Sequence, residues 1–177
     1  HTSGLSYFFN DDLIGKEYLK QSLTATPNNY NLSVFAEKIS CLPLAFKPGL
    51  KWNYSVGIDI AGRLIEIISG DPLDVYLRKN LFDVLDMKDT QFFLPKTKVD
   101  RFTDCFFYNK MQENFLPLVK QYENFYYRKD QVTNFSGGSG LLSTGRDYLK
   151  FASLLLNGGK YKNMRIFENE VIRSIKV

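Results

Sequence analysis

Residues 46–55 are the part of the chain with the clearest potential for chemistry, because they deliver a tyrosine to the start of a predicted helix. Pro48-Gly49 is typical of a tight turn, and Trp52 and Tyr54 follow it. The positive end of the helix dipole would modestly favour a phenolate at Tyr54. Since phenol has a reference pKa of about 10, Tyr54 could act as a base at neutral pH only with cations nearby. Considered alone, Tyr54 is better interpreted as a buried hydroxyl with a satisfied hydrogen bond.

Other kinds of catalytic site are excluded by residue type. His1 is the single histidine, so a two-histidine metal site cannot form and an internal Ser-His-Asp triad is not expected. Cys41 and Cys105 lack the spacing of metal ligands, and no P-loop occurs. The turn at residues 137–140 has two interpretations: an anion site made of free backbone amides, or a tight turn that needs small residues. No cofactor is expected.

Composition and charge limit the possible partners. The net charge of +4 is scattered along the chain, whereas nucleic-acid-binding proteins usually concentrate basic residues on one surface. No nucleic-acid partner is therefore expected. No apolar run approaches the roughly eighteen residues of a membrane span, so no transmembrane segment is expected. The 15 Phe and 11 Tyr residues indicate an aromatic-rich core or a wide apolar groove. Localisation is not predicted.

Several groups of residues occur in an order that a known family shares. Residues 48–55 read Pro-Gly-x-x-Trp-x-Tyr-Ser, and residues 137–144 read Gly-Gly-Ser-Gly-Leu-Leu-Ser-Thr. The remaining matches are residues 1–5 (His-Thr-Ser-Gly-Leu), Gly57, Asp59, Gly62, Leu64-Ile65-Glu66, Ser69-Gly70, Pro72-Leu73, Met87, Asp89-Thr90 and Asp147-Tyr148. Together they resemble the serine enzymes that include class C β-lactamases, DD-peptidases and family VIII carboxylesterases. Only about residues 10–31 and 99–135 are poorly covered.

The resemblance implies a mechanism and a set of site residues. In this family the serine of a Ser-x-x-Lys motif attacks an ester or amide carbonyl and forms an acyl-serine intermediate. Tyr54 would be the general base that accepts the serine proton, its phenolate favoured by the nearby lysine. Trp52 and Ser55 would support Tyr54 or line the substrate pocket, and for Trp52 the supporting role is favoured. The substrate would be a small-molecule ester, amide or β-lactam-like compound.

Two departures from the family pattern affect the expected activity. Val56 stands where many β-lactamases have an asparagine that binds a substrate amide, which favours an esterase-like enzyme over a true β-lactamase. No Ser-x-x-Lys occurs, and residues 96–98 lack the glycine of the family's third motif. The chain is therefore expected to be a central fragment of a serine hydrolase and to be inactive alone. Two alternatives stay open: a catalytically inactive β-lactamase-fold binding module, and an unrelated helical binding domain.

Apolar periodicity predicts the helices that would position these residues. The clearest spans residues 55–69, with Gly70 as its C-terminal stop. Other helices are expected at residues 71–80, 144–156, 12–22, 32–40 and 168–175, and a β-hairpin is expected around Asn109-Lys110. In the first helix the predicted apolar stripe is Ile58, Ala61, Ile65 and Ile68, widened by Ile60, Leu64 and Ile67, with Asp59, Arg63 and Glu66 opposite. In the helix at 144–156, Tyr148, Phe151, Ala152 and Leu155 are predicted to face inward, and Arg146, Lys150 and Ser153 to face out.

These elements and the resemblance together give a fold prediction. The fold class is α+β, of the β-lactamase/transpeptidase type. Residues 1–177 are expected to form a single partial domain, the central and mainly helical portion of a β-lactamase-like hydrolase domain, with one small β-hairpin.

Overall fold

The fold is mainly helical with small antiparallel hairpins, which confirms the predicted fold class. A computed structural model describes residues 1–23, 30–104, 106–117 and 132–175. The α-helices within these residues are α1 (Leu13–Lys20), α2 (Leu32–Ser40), α3 (Gly57–Ser69), α4 (Leu73–Leu77), α5 (Gly145–Leu156) and α6 (Asn169–Ile175). A π-helical turn (Arg78–Phe82) continues α4, and a 3-10 helix covers Lys96–Arg101. No described helix is both long and apolar enough to cross a membrane.

Two short hairpins supply the β structure of the described residues. Strands β1 (Phe106–Asn109) and β2 (Asn114–Pro117) pair antiparallel, and β3 (Lys160–Tyr161) pairs with β4 (Met164–Arg165). The predicted hairpin at Asn109 is confirmed. The side-chain oxygen of Asn109 accepts hydrogen bonds from the amides of Met111 and Gln112, at 2.9 and 3.3 Å. Cys105 and residues 122–131, part of a stretch that the sequence leaves unassigned, lie outside the described residues.

The predicted end of α3 and the predicted start of α5 agree with the structure because the capping residues act locally. In contrast, α1 is shorter than the predicted 12–22, and α3 begins two residues later than predicted. Gly70 ends α3 in the left-handed region, with φ of 75°, and donates its amide to the carbonyl of Glu66 at 2.9 Å. Thr144 begins α5 by accepting the amide of Asp147 on its hydroxyl at 3.2 Å. Each cap satisfies backbone groups that the helix leaves unpaired, so the position of the cap fixes the boundary.

Two apolar clusters form the core. The larger one joins α1, α2 and the start of α3, and its buried members are Tyr18, Leu23, Leu32, Phe35, Ile39, Val56, Leu73, Phe92 and Val132. The smaller one lies between the π-helical turn and α5, and its buried members are Phe82, Leu85, Met87 and Leu154. The start of α3, a few residues after Tyr54, therefore packs against the larger cluster through Val56.

The predicted orientation of α3 is wrong for most of its residues. Asp59 is 1% exposed and Gly62 is buried, whereas Ile58 is 49% and Ile68 84% exposed. Ile65 does contact the core. The polar side of the helix faces inward because the carboxylate of Asp59 finds hydrogen-bond partners there. The apolar side, which also carries Ala61, Leu64 and Ile67, is exposed.

The predicted orientation of α5 is also partly wrong. Tyr148, expected to face inward, is 64% exposed, while Leu154 and Asp147 are buried. Phe151 packs against the smaller cluster as expected. Lys150, expected to face out, bonds to Asp147 at 3.2 Å, which holds it against the protein.

Candidate active site

Residues 46–56, the tyrosine segment, are held against the first residues of the chain. Three backbone hydrogen bonds join the two segments: Gly49 N to Thr2 O at 2.8 Å, Asn53 N to His1 O at 2.8 Å and Val56 N to Ser6 O at 3.1 Å. The turn within this segment depends on Gly49, whose φ of 84° lies in the left-handed region. Tyr54 is thereby fixed just ahead of α3, as the sequence predicts.

Aromatic rings surround the ring of Tyr54 on its supported side. The distances from its ring centroid are 4.8 Å to His1, 5.3 Å to Tyr7, 5.8 Å to Phe9 and 6.5 Å to Trp52. The ring of Phe9 is nearly parallel to it, with an interplanar angle of 18°. Tyr54 nevertheless stays 42% exposed, so its phenol can be reached by a group from outside the described residues. The interpretation of Tyr54 as a buried residue with a satisfied hydroxyl does not fit this exposure.

Trp52 and Ser55 differ in what they can contact. Trp52 is 67% exposed, and its ring meets His1 edge-on with the centroids 5.6 Å apart. Ser55 is only 3% exposed. Its hydroxyl accepts the amide of Gly57 at 3.3 Å and lies 3.3 Å from Nδ1 of His1. The geometry of Ser55 therefore fits a supporting residue and not a group that meets substrate.

A buried carboxylate anchors the beginning of α3. Asp59 accepts hydrogen bonds from the hydroxyl of Ser136 and from the amide of Gly138, the latter at 3.4 Å. Burial raises the pKa of the Asp59 carboxyl above its usual range, and these hydrogen bonds act in the opposite direction. The amides of Gly138 and Ser139 also donate to the Ser136 hydroxyl, at 3.1 and 3.0 Å. Because these amides already have partners, the glycine-rich turn serves as a packing element here.

The close approach of that turn to α3 requires glycine at residue 137. A Cβ added to Gly137 would lie 2.3 Å from the carbonyl oxygen of Ile58. Such a distance is far below van der Waals contact, so any side chain would push the turn away from the helix. Gly137 and Asp59 together hold the first turn of α3, which follows Tyr54 in the chain.

Two cavities formed by the described residues do not include Tyr54 in their lining. One, of about 360 Å³, is bordered by Asp89, Arg101 and the start of α5. The other, of about 380 Å³, lies between the starts of α2 and α4.

The residues that the sequence interpretation missed are the supports of Tyr54. The sequence interpretation used residues 1–5 only as part of the family resemblance, yet His1 contacts residues 52–55. The side-chain amide of Asn10 donates to the carbonyl of Tyr54 at 2.8 Å. Residues 1–10 and 50–55 are far apart in sequence, so no local pattern could reveal their pairing. The only hint in the sequence was that the single histidine and the single tryptophan both belong to residue groups shared with the family.

Comparison with known proteins covers nearly the whole chain. The model of the Beta-lactamase family matches residues 1–169. A lovastatin esterase of Penicillium rubens is 34% identical over 160 residues, which are 90% of this chain and 39% of that enzyme. The chain thus spans about two fifths of the length of this relative.

Solved structures show the same fold. The LovD6 mutant of simvastatin synthase from Aspergillus terreus superposes with a TM-score of 0.72 at 28% identity, over 98% of this chain and 38% of that one. EstCE1, a hydrolase with promiscuous acyltransferase activity, superposes with a TM-score of 0.78 at 20% identity, over 97% of this chain and 47% of that one. At 20% identity the second likeness concerns the fold alone.

Proposed function

Because the chain belongs to the β-lactamase family, we propose that the protein carrying it is a serine hydrolase that cleaves ester or amide acyl groups through an acyl-serine intermediate. The observation that carries the proposal is the placement of Tyr54. Its ring contacts four aromatic neighbours just ahead of the start of α3, yet the residue stays 42% exposed. A supported but accessible phenol is what a general base requires.

Tyr54 moves the protons of the proposed reaction. It accepts the proton of the attacking serine while the serine oxygen bonds to the acyl carbon, and it returns that proton to the leaving alcohol or amine. In deacylation Tyr54 accepts a proton from water while the water oxygen bonds to the acyl carbon, and it returns that proton to the serine oxygen as the bond between this oxygen and the acyl carbon breaks. A phenol titrates near pH 10, so a cation must favour its charged form. We assign that role to the lysine of a Ser-x-x-Lys motif outside these 177 residues.

An ester is the favoured substrate class. Val56, at the position where many β-lactamases bind a substrate amide, is fully buried and donates its amide to Ser6 at 3.1 Å. It offers no side chain to an amide of the substrate. The lovastatin esterase, at 34% identity, supports the same preference. Trp52, Ser55 and the aromatic neighbours of Tyr54 then act as supports of the base.

The proposal is tested by treating the full-length protein with a serine-reactive phosphonate and mapping the labelled peptide. The expected label is on a serine followed three residues later by lysine, and hydrolysis of a chromogenic short-chain ester should exceed that of a chromogenic cephalosporin. The 177-residue chain serves as the control and should not be labelled. A full-length protein that is neither labelled nor active would instead be a catalytically inactive binding module. Labelling of the 177-residue chain would show that the nucleophile is not outside it.

A further inference from the structure

His1 contacts four consecutive residues of the tyrosine segment. Its carbonyl accepts the amide of Asn53 at 2.8 Å. Its ring lies 5.6 Å from the ring of Trp52 and 4.8 Å from that of Tyr54. Its Nδ1 lies 3.2 Å from the amide nitrogen of Ser55 and 3.3 Å from the hydroxyl oxygen of the same residue. One residue thereby contacts both the backbone next to the candidate base and its ring.

The hydrogen bond to Ser55 requires a neutral imidazole. A backbone amide can only donate, so Nδ1 of His1 must accept and the ring proton must be on Nε2. Protonation of the ring would place a proton on Nδ1, directed at the proton of the Ser55 amide. The hydrogen bond would then be lost, and the two donors would repel each other. An ordinary imidazole titrates at about pH 6.5, within the range where most hydrolases are assayed.

We propose that His1 is a positioning residue for Tyr54, and that its protonation releases the tyrosine segment and lowers activity at acid pH. The effect on activity rests on the proposed function. The contact between His1 and the tyrosine segment can be measured without any activity.

Charged side chains on the two segments that meet at His1 have partners of their own. On the tyrosine segment, the Lys51 ammonium lies over the ring of Phe46 at 4.9 Å. On the first segment, Asp12 accepts the hydroxyl of Ser6 at 2.7 Å. Tyr54 is the other titratable side chain whose ring contacts that of His1. No described carboxylate forms an ion pair with the imidazole.

The contact between the rings of His1 and Trp52 offers an optical test in the full-length protein. The measurement is the emission of Trp52 between pH 5 and 8, obtained as the difference between the protein and its Trp52→Phe variant. We expect a sigmoidal change that follows the imidazole, since a charged imidazolium quenches a neighbouring indole. The matched control is His1→Asn, whose side-chain oxygen can accept the Ser55 amide but does not titrate. Because this side chain carries no titrating group, the emission of the variant should stay flat. Equal titration curves for the two proteins would overturn the proposal.

The second test is the pH profile of ester hydrolysis by the full-length protein. His1→Ala should lower kcat at least tenfold at every pH with little change in KM, because Tyr54 loses its support. His1→Asn should keep most of the activity at pH 7.5 and lose the acid limb of the wild-type profile. An acid limb that is unchanged in His1→Asn would overturn the proposal. A full-length protein that hydrolyses no ester would overturn the proposed function, while the fluorescence result on the His1 contact would stand.

Discussion

Single charged residues tie distant parts of this chain together. Asp89 receives two hydrogen bonds from Arg101, at 3.1 and 2.7 Å, and one from Lys98 at 2.5 Å. Its amide donates to the buried carboxylate of Asp147 at 2.7 Å. The 3-10 helix and the start of α5 are therefore joined through one residue. Hydrogen bonds from Arg101 and Lys98 hold the pKa of the Asp89 carboxyl well below its usual range.

The lowered pKa of Asp89 predicts a loss of stability in acid. A carboxyl with a lower pKa in the folded state stabilises the fold above its unfolded pKa of about 3.9, and this contribution is lost as the pH falls below that value. Asp89→Asn should lower the free energy of unfolding at pH 6 and flatten its fall between pH 5 and 3, as measured by urea unfolding. The exposed Asp100→Asn should keep the wild-type slope. A wild-type slope in Asp89→Asn would contradict the assignment.

For single residues, the sequence predicted the position of Tyr54 correctly and the orientation of Asp59 wrongly. Tyr54 was placed correctly at the start of a helix because a turn, a tyrosine and an apolar run are local features. Asp59 was assigned to the solvent side because an isolated helix is expected to bury its apolar stripe. Its partner Ser136 is 77 residues away, and no spacing rule could reveal that contact.

The helices show how local and non-local information differ. The bounds of α2 agree with the prediction, and α3 ends at the predicted residue, because caps and glycine stops act within one turn. The rotation of α3 about its own axis depends on what packs against it, and this was not predictable from α3 alone. Gly137, which touches the first turn of α3, is the residue that fixes the distance between helix and turn.

Gly137→Ala should therefore destabilise the protein by about 1–3 kcal/mol, because the added methyl group would overlap the carbonyl of Ile58. Thermal or urea unfolding measures the effect. The matched control is Gly145→Ala at the start of α5, where an added Cβ meets nothing within 4 Å. That change should leave stability unchanged or raise it by up to about 1 kcal/mol. Equal effects of the two substitutions would contradict the close approach seen at Gly137.

For the molecule as a whole, the notable feature is apolar surface on the helices. Leu64 and Ile68 of α3 are 53% and 84% exposed, and Leu149 and Leu156 of α5 are 66% and 83% exposed. Large exposed apolar patches usually mark surfaces that are covered by other protein. The lovastatin esterase is more than twice as long as the matched region, so in that enzyme further chain exists that could cover such faces.

The 177-residue chain is accordingly expected to self-associate and to bind a hydrophobic dye, because its apolar helix faces meet water. Sedimentation at several concentrations and dye fluorescence measure this. Leu64→Lys and Ile68→Lys should lower both effects. Met111→Lys, at a hairpin residue that is 97% exposed, is the control and should not change them. A monomeric chain with a sharp, cooperative melt and no dye binding would contradict the expectation.

The central claim is that Tyr54 is the general base of a serine hydrolase, and it is tested most directly by kcat of Tyr54→Phe in the full-length protein on a chromogenic ester. Removal of the hydroxyl should lower kcat by about 10²–10⁴-fold, the usual contribution of general base catalysis. Tyr148→Phe removes the same atom from the exposed face of α5 and should leave kcat within about twofold of the wild type. Wild-type turnover by Tyr54→Phe would show that another group accepts the serine proton and that Tyr54 has only a structural role.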